Sequence, residues 1–328
     1  MIWMSWRQFR AQALTGAAAV TVLAVYLVFL GVRIRHGYHD TLELCHRQGA
    51  DCASATTEFQ SRYESQLYFM DAIVLLTPAL IGLFWGAPLV TREFEAGTHR
   101  LVWNQSVTRG RWLATKLLVA AAASSALTGA ASLLLTWAAS PFDLVSGNRF
   151  STLLFGTRNI VPIAYAIFAL VLGAVTGLLI RRAVPAMALT LLAFVIIQVL
   201  VPNVVRPHLM TPVSAAQPMT AQLIRNLSFL GQHPTISGLR IPGAWVTSSS
   251  ELLASSGKPV DQAKYDACIG AGFDTVADCL AGLDLHVDIT YQPVGRYWSF
   301  QWLESALFVG LAALLAAFGL RRIRGRLP

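Results

Sequence analysis

Six long apolar runs are the main feature of the sequence. A helix that crosses a bilayer needs about 20 predominantly apolar residues, and a charge at its centre costs about 2.5–3.5 kcal/mol on insertion scales. Only the sixth run holds a charged residue, Glu304, which lies near the start of that run. The pattern predicts six transmembrane helices, at residues 11–32, 72–90, 117–139, 159–180, 183–205 and 299–320.

The segment before the first run has a different pattern. Apolar residues recur at helical spacing from Ile2 to Ala13, with Arg7 and Arg10 among them. This pattern is typical of a short helix that lies in the membrane interface, and a frayed terminus is the alternative. The first apolar run is longer than the core of a signal peptide, so we expect it to be a retained span.

Composition supports the membrane assignment. Hydrophobic residues make up 55% of the chain, charged residues make up 13%, and the mean hydropathy is +0.54. An ordinary soluble domain carries about 25% charged residues. A soluble enzyme, a disordered protein and a nucleic-acid-binding domain are therefore excluded, and the expected fold class is an all-α polytopic membrane protein surrounded by the lipid bilayer.

The distribution of charge predicts the orientation. Short cytoplasmic loops of membrane proteins carry an excess of Lys and Arg. With both termini inside, the inner segments hold only two acids, Glu93 and Glu95. Their basic residues are Arg7, Arg10, Arg92, Arg100, Arg109, Arg111, Lys116, Arg181, Arg182, Arg321, Arg322, Arg324 and Arg326. We therefore expect a multi-pass protein of the cell membrane with both termini in the cytoplasm.

All four cysteines fall in predicted outer loops. Four cysteines allow three pairings, and the local bridges Cys45–Cys52 and Cys268–Cys279 are the economical choice in an oxidising compartment. Free thiols and a metal site are the alternatives. Zinc sites usually show tighter spacing, so we expect no metal.

The stretch between the fifth and sixth runs is long enough for a small extracellular domain. Within it, Asp284, His286 and Asp288 alternate with apolar residues, as in a half-buried strand. They form a solvated strand face or, as the alternative, a metal site. The expected organisation is an interfacial helix with spans one to five at 1–205, an extracellular subdomain at 206–298, and the sixth span with a basic tail at 299–328.

The loop after the second run has the pattern of a short helix near residues 91–98. Thr91 can cap the first turn, Glu93 and Glu95 favour the positive end of the helix, and Gly97 can end it in the left-handed conformation. Such a helix either contacts a soluble partner or belongs to a charged loop that only orients the protein.

This loop carries a resemblance to a known family. The stretch R-E-F-E-A-G-T at 92–98, then T-R-G-R-W at 108–112 and Lys116, resembles the permeases of the ABC-2 family of ABC transporters. The resemblance implies a bacterial exporter subunit whose segment 92–98 is a cytoplasmic coupling helix against an ATPase, with Glu93 and Glu95 as its acidic contacts. The implied coupling residues are Arg92, Glu93, Phe94, Glu95, Gly97, Thr98 and Arg109.

The chain has no ATPase motif of its own. The pattern G-x-x-x-x-G-K-[ST] is absent from the sequence, and the one Gly-Lys step, Gly257-Lys258, precedes Pro259. We expect no catalytic residues and no cofactor in this chain, with ATP and Mg on a separate ATPase. The expected assembly is a permease homodimer with two ATPase subunits, although a heterodimer is an alternative.

The expected activity is the export of a hydrophobic or amphipathic compound, such as a drug, an antibiotic or a lipid. Asp71, Tyr165, Gln198 and Glu304 are the polar residues that either line a pathway or lie at an interface. The G-x-x-x-G pairs Gly82–Gly86 and Gly173–Gly177 allow close helix contacts, in a dimer or within one protomer.

Two other functions are open from the sequence alone. A membrane enzyme would act on a lipid-linked substrate through Asp284, His286 and Asp288. An ion-coupled secondary carrier would need no ATPase, but the internal repeat typical of such carriers is not evident.

Overall fold

The computed structural model describes most of the chain and divides it into two compact units. The first unit comprises 1–146, 151–206 and 298–328, and the second comprises 147–150 and 207–297. The described residues are 2–47, 52–97, 108–147, 149–225, 229–230, 236–237, 239, 244–270 and 275–325.

The first unit is helical. Its helices are α1 (Ile2–Gly37), α2 (Leu44–Arg47), α3 (Ala53–Ile81), α4 (Ala87–Glu95), α5 (Arg109–Ser146), α6 (Thr152–Thr157), α7 (Val161–Ile180), α8 (Ala183–Leu200) and α12 (Tyr297–Arg324). Segments of π-helix follow α1, α3 and α8, at Tyr38–Glu43, Gly82–Gly86 and Val201–Val205. Six helical segments of the described residues are long and apolar enough to cross a membrane. The predicted all-α polytopic fold with six spans is confirmed.

The helices extend past the apolar runs that predicted them. Helix α1 begins at Ile2 and continues through the first span, so the N-terminal segment is not the separate interfacial helix that we expected. Most of the described residues between the first two apolar runs, at 33–71, are helical, and α3, its π-helical segment and α4 form one continuous span from Ala53 to Glu95. Hydropathy indicates which part of a helix contacts lipid. The helix itself ends only where its backbone hydrogen bonding is interrupted.

The second unit contains the sheets. Its strands are β1 (Val213–Pro218), β2 (Phe229–Leu230), β3 (Ile236–Ser237), β4 (Ala244–Ser249) and β5 (His286–Pro293), and its helices are α9 (Ala221–Arg225), α10 (Gln262–Ile269) and α11 (Val276–Ala281). A three-stranded antiparallel sheet has the order β1-β5-β4, and β2 pairs with β3. The hydrophobic core of the second unit includes Tyr265, Leu280 and Val287.

Helix α7 lies at the centre of the first unit, because it packs against α3, α4, α5 and α8. The two G-x-x-x-G pairs allow α7 to approach α4 and the preceding π-helical segment closely. A side chain added at Gly86 would collide with Leu170, and one added at Gly177 would collide with Ala87. The two glycine pairs therefore pack against each other within one protomer. Packing within a protomer, as opposed to packing in a dimer, was one of the two alternatives.

Substitution of Gly173 by alanine is expected to destabilise the protein by about 1–3 kcal/mol, the usual range for overpacking. The added Cβ would lie 2.7 Å from the backbone nitrogen of Ala87 and 3.0 Å from the carbonyl carbon of Gly86. Neither atom can swing away as a flexible side chain would. Thermal unfolding of the detergent-purified protein measures the loss.

The matched control is Gly310→Ala in α12, where an added Cβ has no atom within 4 Å. Alanine is the better helix former, so this variant should unfold at the wild-type temperature or slightly above it. Equal effects at the two positions would contradict the close contact at Gly173.

Candidate functional site

The last turn of α4 carries the residues that the sequence assigned to coupling. Thr91 lies inside the helix, where its hydroxyl donates to the Ala87 carbonyl at 3.1 Å, so it is not the N-cap that we expected. The helix ends at Glu95, and Gly97 adopts φ +68°. Glycine enters this left-handed conformation without the steric penalty of a Cβ, as the sequence predicted.

Glu93 fastens this turn to α5. Its carboxylate forms an ion pair with the ammonium of Lys116, and both side chains are buried, at 9% and 7% exposure. The same ammonium lies 4.8 Å from the centre of the Trp112 ring. Glu93, which the resemblance assigned to the ATPase contact, therefore has its charge compensated inside the chain.

Two further contacts fasten the turn to the connection between α7 and α8. Glu95 Oε1 accepts a hydrogen bond of 2.8 Å from the backbone nitrogen of Ala183, the first residue of α8. The guanidinium of Arg181 lies 5.7 Å from the centre of the Phe94 ring. A carboxylate at the N-terminus of a helix also interacts favourably with the helix dipole.

Four residues of this turn are exposed in the described part of the chain. Arg92, Glu95, Ala96 and Gly97 are exposed, and Arg109, at the start of α5, is half-buried. Thr98, also assigned to coupling, lies outside the described residues. The structure therefore presents the end of α4 to solvent while holding it through three side chains against α5 and the α7–α8 connection.

A buried ionic cluster lies between α3, α5 and α6. Arg158 forms an ion pair with Asp71 and a second one with Asp143, where Nε and Oδ2 are 3.3 Å apart. The Thr157 hydroxyl donates to Asp71 Oδ1 at 2.6 Å. Burial by itself lowers the pKa of the Arg158 guanidinium, but the carboxylates of Asp143 and Asp71 outweigh it, so the pKa is raised and the group stays charged.

A second cluster joins α7 and α12 to Arg206, which follows the π-helical segment after α8. Arg206 donates from Nε to Glu304 Oε2 at 2.7 Å and from Nη2 to Oε1 at 2.9 Å. The Tyr165 hydroxyl donates to the same carboxylate, and the Arg206 guanidinium stacks 4.1 Å from the centre of the Phe155 ring. Fork-like pairing of this kind is strong and fixes geometry.

These two clusters contain three of the four polar residues that the sequence assigned to a pathway or an interface. Asp71, Tyr165 and Glu304 are fully buried and bind side chains of the same chain. Gln198 is half-buried in α8. Sequence analysis missed Arg158 and Arg206 as counter-ions. The signal was present, because each arginine borders an apolar run and Asp71 and Glu304 each required a cation.

The four cysteines form two disulfides, and the polar residues on and beside β5 are at least partly accessible to solvent. Cys45 bonds to Cys52 and Cys268 bonds to Cys279. On and beside β5, Asp284 and Asp288 are exposed and His286 is half-buried. In the described part of the chain, no group of three or more His, Cys, Asp or Glu side chains could hold a metal ion.

Comparison with known proteins identifies the family. A family model described as ABC-2 membrane transporter related matches residues 17–206, which is more than half of the 328 residues. Comparisons with curated proteins and with solved structures gave no significant match. The matched range includes α4 and the side chains that hold it, and it confirms the resemblance first found at residues 92–116. The chain therefore belongs to the ABC-2 membrane transporter related family and is a permease subunit of an ABC transporter, which in general works with an ABC ATPase.

Proposed function

We propose that the protein exports a hydrophobic or amphipathic compound, such as a drug, an antibiotic or a lipid, across the cell membrane. Two copies of this chain form the pathway, and two ATPase subunits bind ATP and Mg and supply the energy. The charge-poor spans support an apolar cargo. The buried acids Asp71 and Glu304 are both paired with arginines, which favours this function over an ion-coupled carrier.

In the proposed topology both termini and the end of α4 face the cytoplasm, and 206–298 is extracellular. The basic residues at one end of the spans support this orientation through the positive-inside rule. The two disulfides support it as well, since such bonds persist in oxidising compartments. Both of them lie in segments assigned to the outer side.

The attachment of the end of α4 is the observation that carries the proposal. Glu93, Phe94 and Glu95 contact α5 and the α7–α8 connection, whereas Arg92 on the same turn is exposed. A partner that pushes on this turn would therefore move several spans together. In this scheme Arg92, Ala96 and Gly97 contact the ATPase, Glu93 and Phe94 transmit the motion, and Glu95 does both.

Charge reversal at Arg92 tests the contact. We expect Arg92→Glu to reduce the amount of ATPase that co-purifies with the tagged permease from its native membrane by severalfold. The side chain is exposed, so its loss should leave membrane insertion and thermal stability unchanged. The measurement is the ratio of ATPase to permease after a pull-down in mild detergent.

The matched control is Arg322→Glu, an exposed arginine near the end of α12 that makes the same change of charge. Retention of the ATPase by Arg322→Glu and its loss from Arg92→Glu would support the contact. If both variants retained the ATPase, or if the wild-type chain captured none, the coupling role of α4 would be refuted.

A further inference from the structure

The connection between α7 and α8 lies directly beside the last turn of α4. The Arg181 guanidinium, at the first end of the connection, lies 5.7 Å from the centre of the Phe94 ring. At the other end, the backbone nitrogen of Ala183 donates to Glu95 Oε1 at 2.8 Å. Both ends of the connection are therefore held against α4, and the two elements share one surface.

Three exposed arginines lie on this shared surface. Arg92 is on the last turn of α4, whereas Arg181 and Arg182 form the connection itself, and all three side chains are exposed. None of their guanidinium groups takes part in the ion pairs of the described residues. Glu95 is the only exposed acid among the described residues of these two elements, so the shared surface is positively charged.

The local backbone at both connection positions favours residues other than arginine. Arg181 follows α7 in the left-handed conformation, with φ +60°, which glycine adopts far more readily. Arg182 directly precedes α8, where the helix dipole favours a negative charge and disfavours a cation. The backbone alone would therefore favour glycine at 181 and an acid at 182.

The chemistry of the three side chains defines the kind of surface that they fit. A guanidinium group is planar and presents its donors in a fixed fork that matches a carboxylate, and hydrogen bonds between charged groups are the strong ones. Three such groups on one surface are complementary to a protein surface rich in Asp and Glu. The proposed function places the ATPase against Arg92, so the ATPase is the partner that would supply these acids.

We propose that Arg181 and Arg182 form a second contact with the ATPase, and that the surface of the ATPase at this contact is acidic. The inference rests on the proposed function, which assigns the end of α4 to the ATPase. The family resemblance assigned neither arginine to coupling. Because α7 packs against α3, α4, α5 and α8, a partner that moves its end acts directly on the centre of the helical unit.

Arg181→Gly and Arg182→Glu test the contact, because each replacement suits the local backbone. Both variants should unfold at the wild-type temperature or slightly above it, yet each should capture severalfold less ATPase in the pull-down. The probe is the ABC ATPase that co-purifies with the wild-type chain and is identified by mass spectrometry of its G-x-x-x-x-G-K-[ST] peptide. Arg322→Glu, near the end of α12, is the matched control and should capture the wild-type amount.

Cross-linking tests the acidity of the partner surface. Arg182→Lys keeps the positive charge and introduces a primary amine, which a carbodiimide joins to a nearby carboxylate as an amide. We expect a cross-link to an Asp or Glu of the ATPase, and none from the control Arg322→Lys. Raising the salt from about 0.1 M to about 1 M shortens the Debye length from about 10 Å to about 3 Å, so it should reduce capture by the wild type severalfold.

The outcomes separate this inference from the proposed function. Wild-type capture by both Arg181→Gly and Arg182→Glu, with loss from Arg92→Glu, would overturn the second contact and leave the coupling role of α4 intact. Loss of capture without a cross-link to an acid and without salt dependence would overturn the acidic surface. If the wild-type chain captured no ATPase, the proposed function would be refuted and this inference with it.

Discussion

Replacement of Arg158 by methionine is expected to destabilise the protein by about 3–5 kcal/mol, the usual cost of removing one partner from a buried ion pair. The guanidinium is 3% exposed and lies between two buried carboxylates, those of Asp71 and Asp143. Methionine fills much of the same volume but leaves both acids without their cation. Unfolding of the detergent-purified chain, followed by circular dichroism, measures the loss.

Arg62→Met on the exposed face of α3 is the matched control and should change the unfolding free energy little. Arg158→Lys separates charge from geometry, because lysine keeps the charge and loses the two-pronged donor. It should fall between the wild type and Arg158→Met. If Arg158→Met were as stable as the control, the cluster would not hold α3, α5 and α6 together.

The six spans were predictable because the free-energy penalty for a charge in a bilayer produces long apolar runs with few charged residues. Their ends were less predictable. The first apolar run ends at position 32, yet the helix continues to Gly37 and then through a π-helical segment. Backbone hydrogen bonds within a helix do not require lipid around them, so the helix can continue past the edge of the bilayer. The same reason explains why residues 91–95, the described helical part of the predicted short helix, are the end of a long span and not a separate helix.

The candidate site was predictable in part. Residues 92–116 identified the family, and Gly97 ends α4 as expected. The side-chain partners of Asp71, Glu93 and Glu304 were not predicted. Asp71 and Arg158 are 87 positions apart, and Arg206 and Glu304 are 98 positions apart. One sequence shows that a buried acid needs a cation, but only the packing of the spans decides which cation it meets.

Lys116→Met should have the second large effect, again about 3–5 kcal/mol, together with loss of ATPase binding. Removal of the ammonium leaves the Glu93 carboxylate buried without its lysine, and burial of an uncompensated charge is unfavourable. The end of α4 would also lose its ionic link to α5. The measurements are the unfolding free energy and the ratio of ATPase to permease in the pull-down.

The exchanged pair, Glu93→Lys with Lys116→Glu, distinguishes a structural link from a direct contact with the ATPase. If the pair acts only by joining α4 to α5, the exchange should restore both stability and ATPase binding, because the attraction is the same with the charges reversed. Lys258→Met, an exposed lysine of the second unit, should change neither quantity. Recovery of stability without recovery of binding would show that Glu93 itself meets the ATPase, and the burial of Glu93 in the isolated chain argues for the opposite outcome.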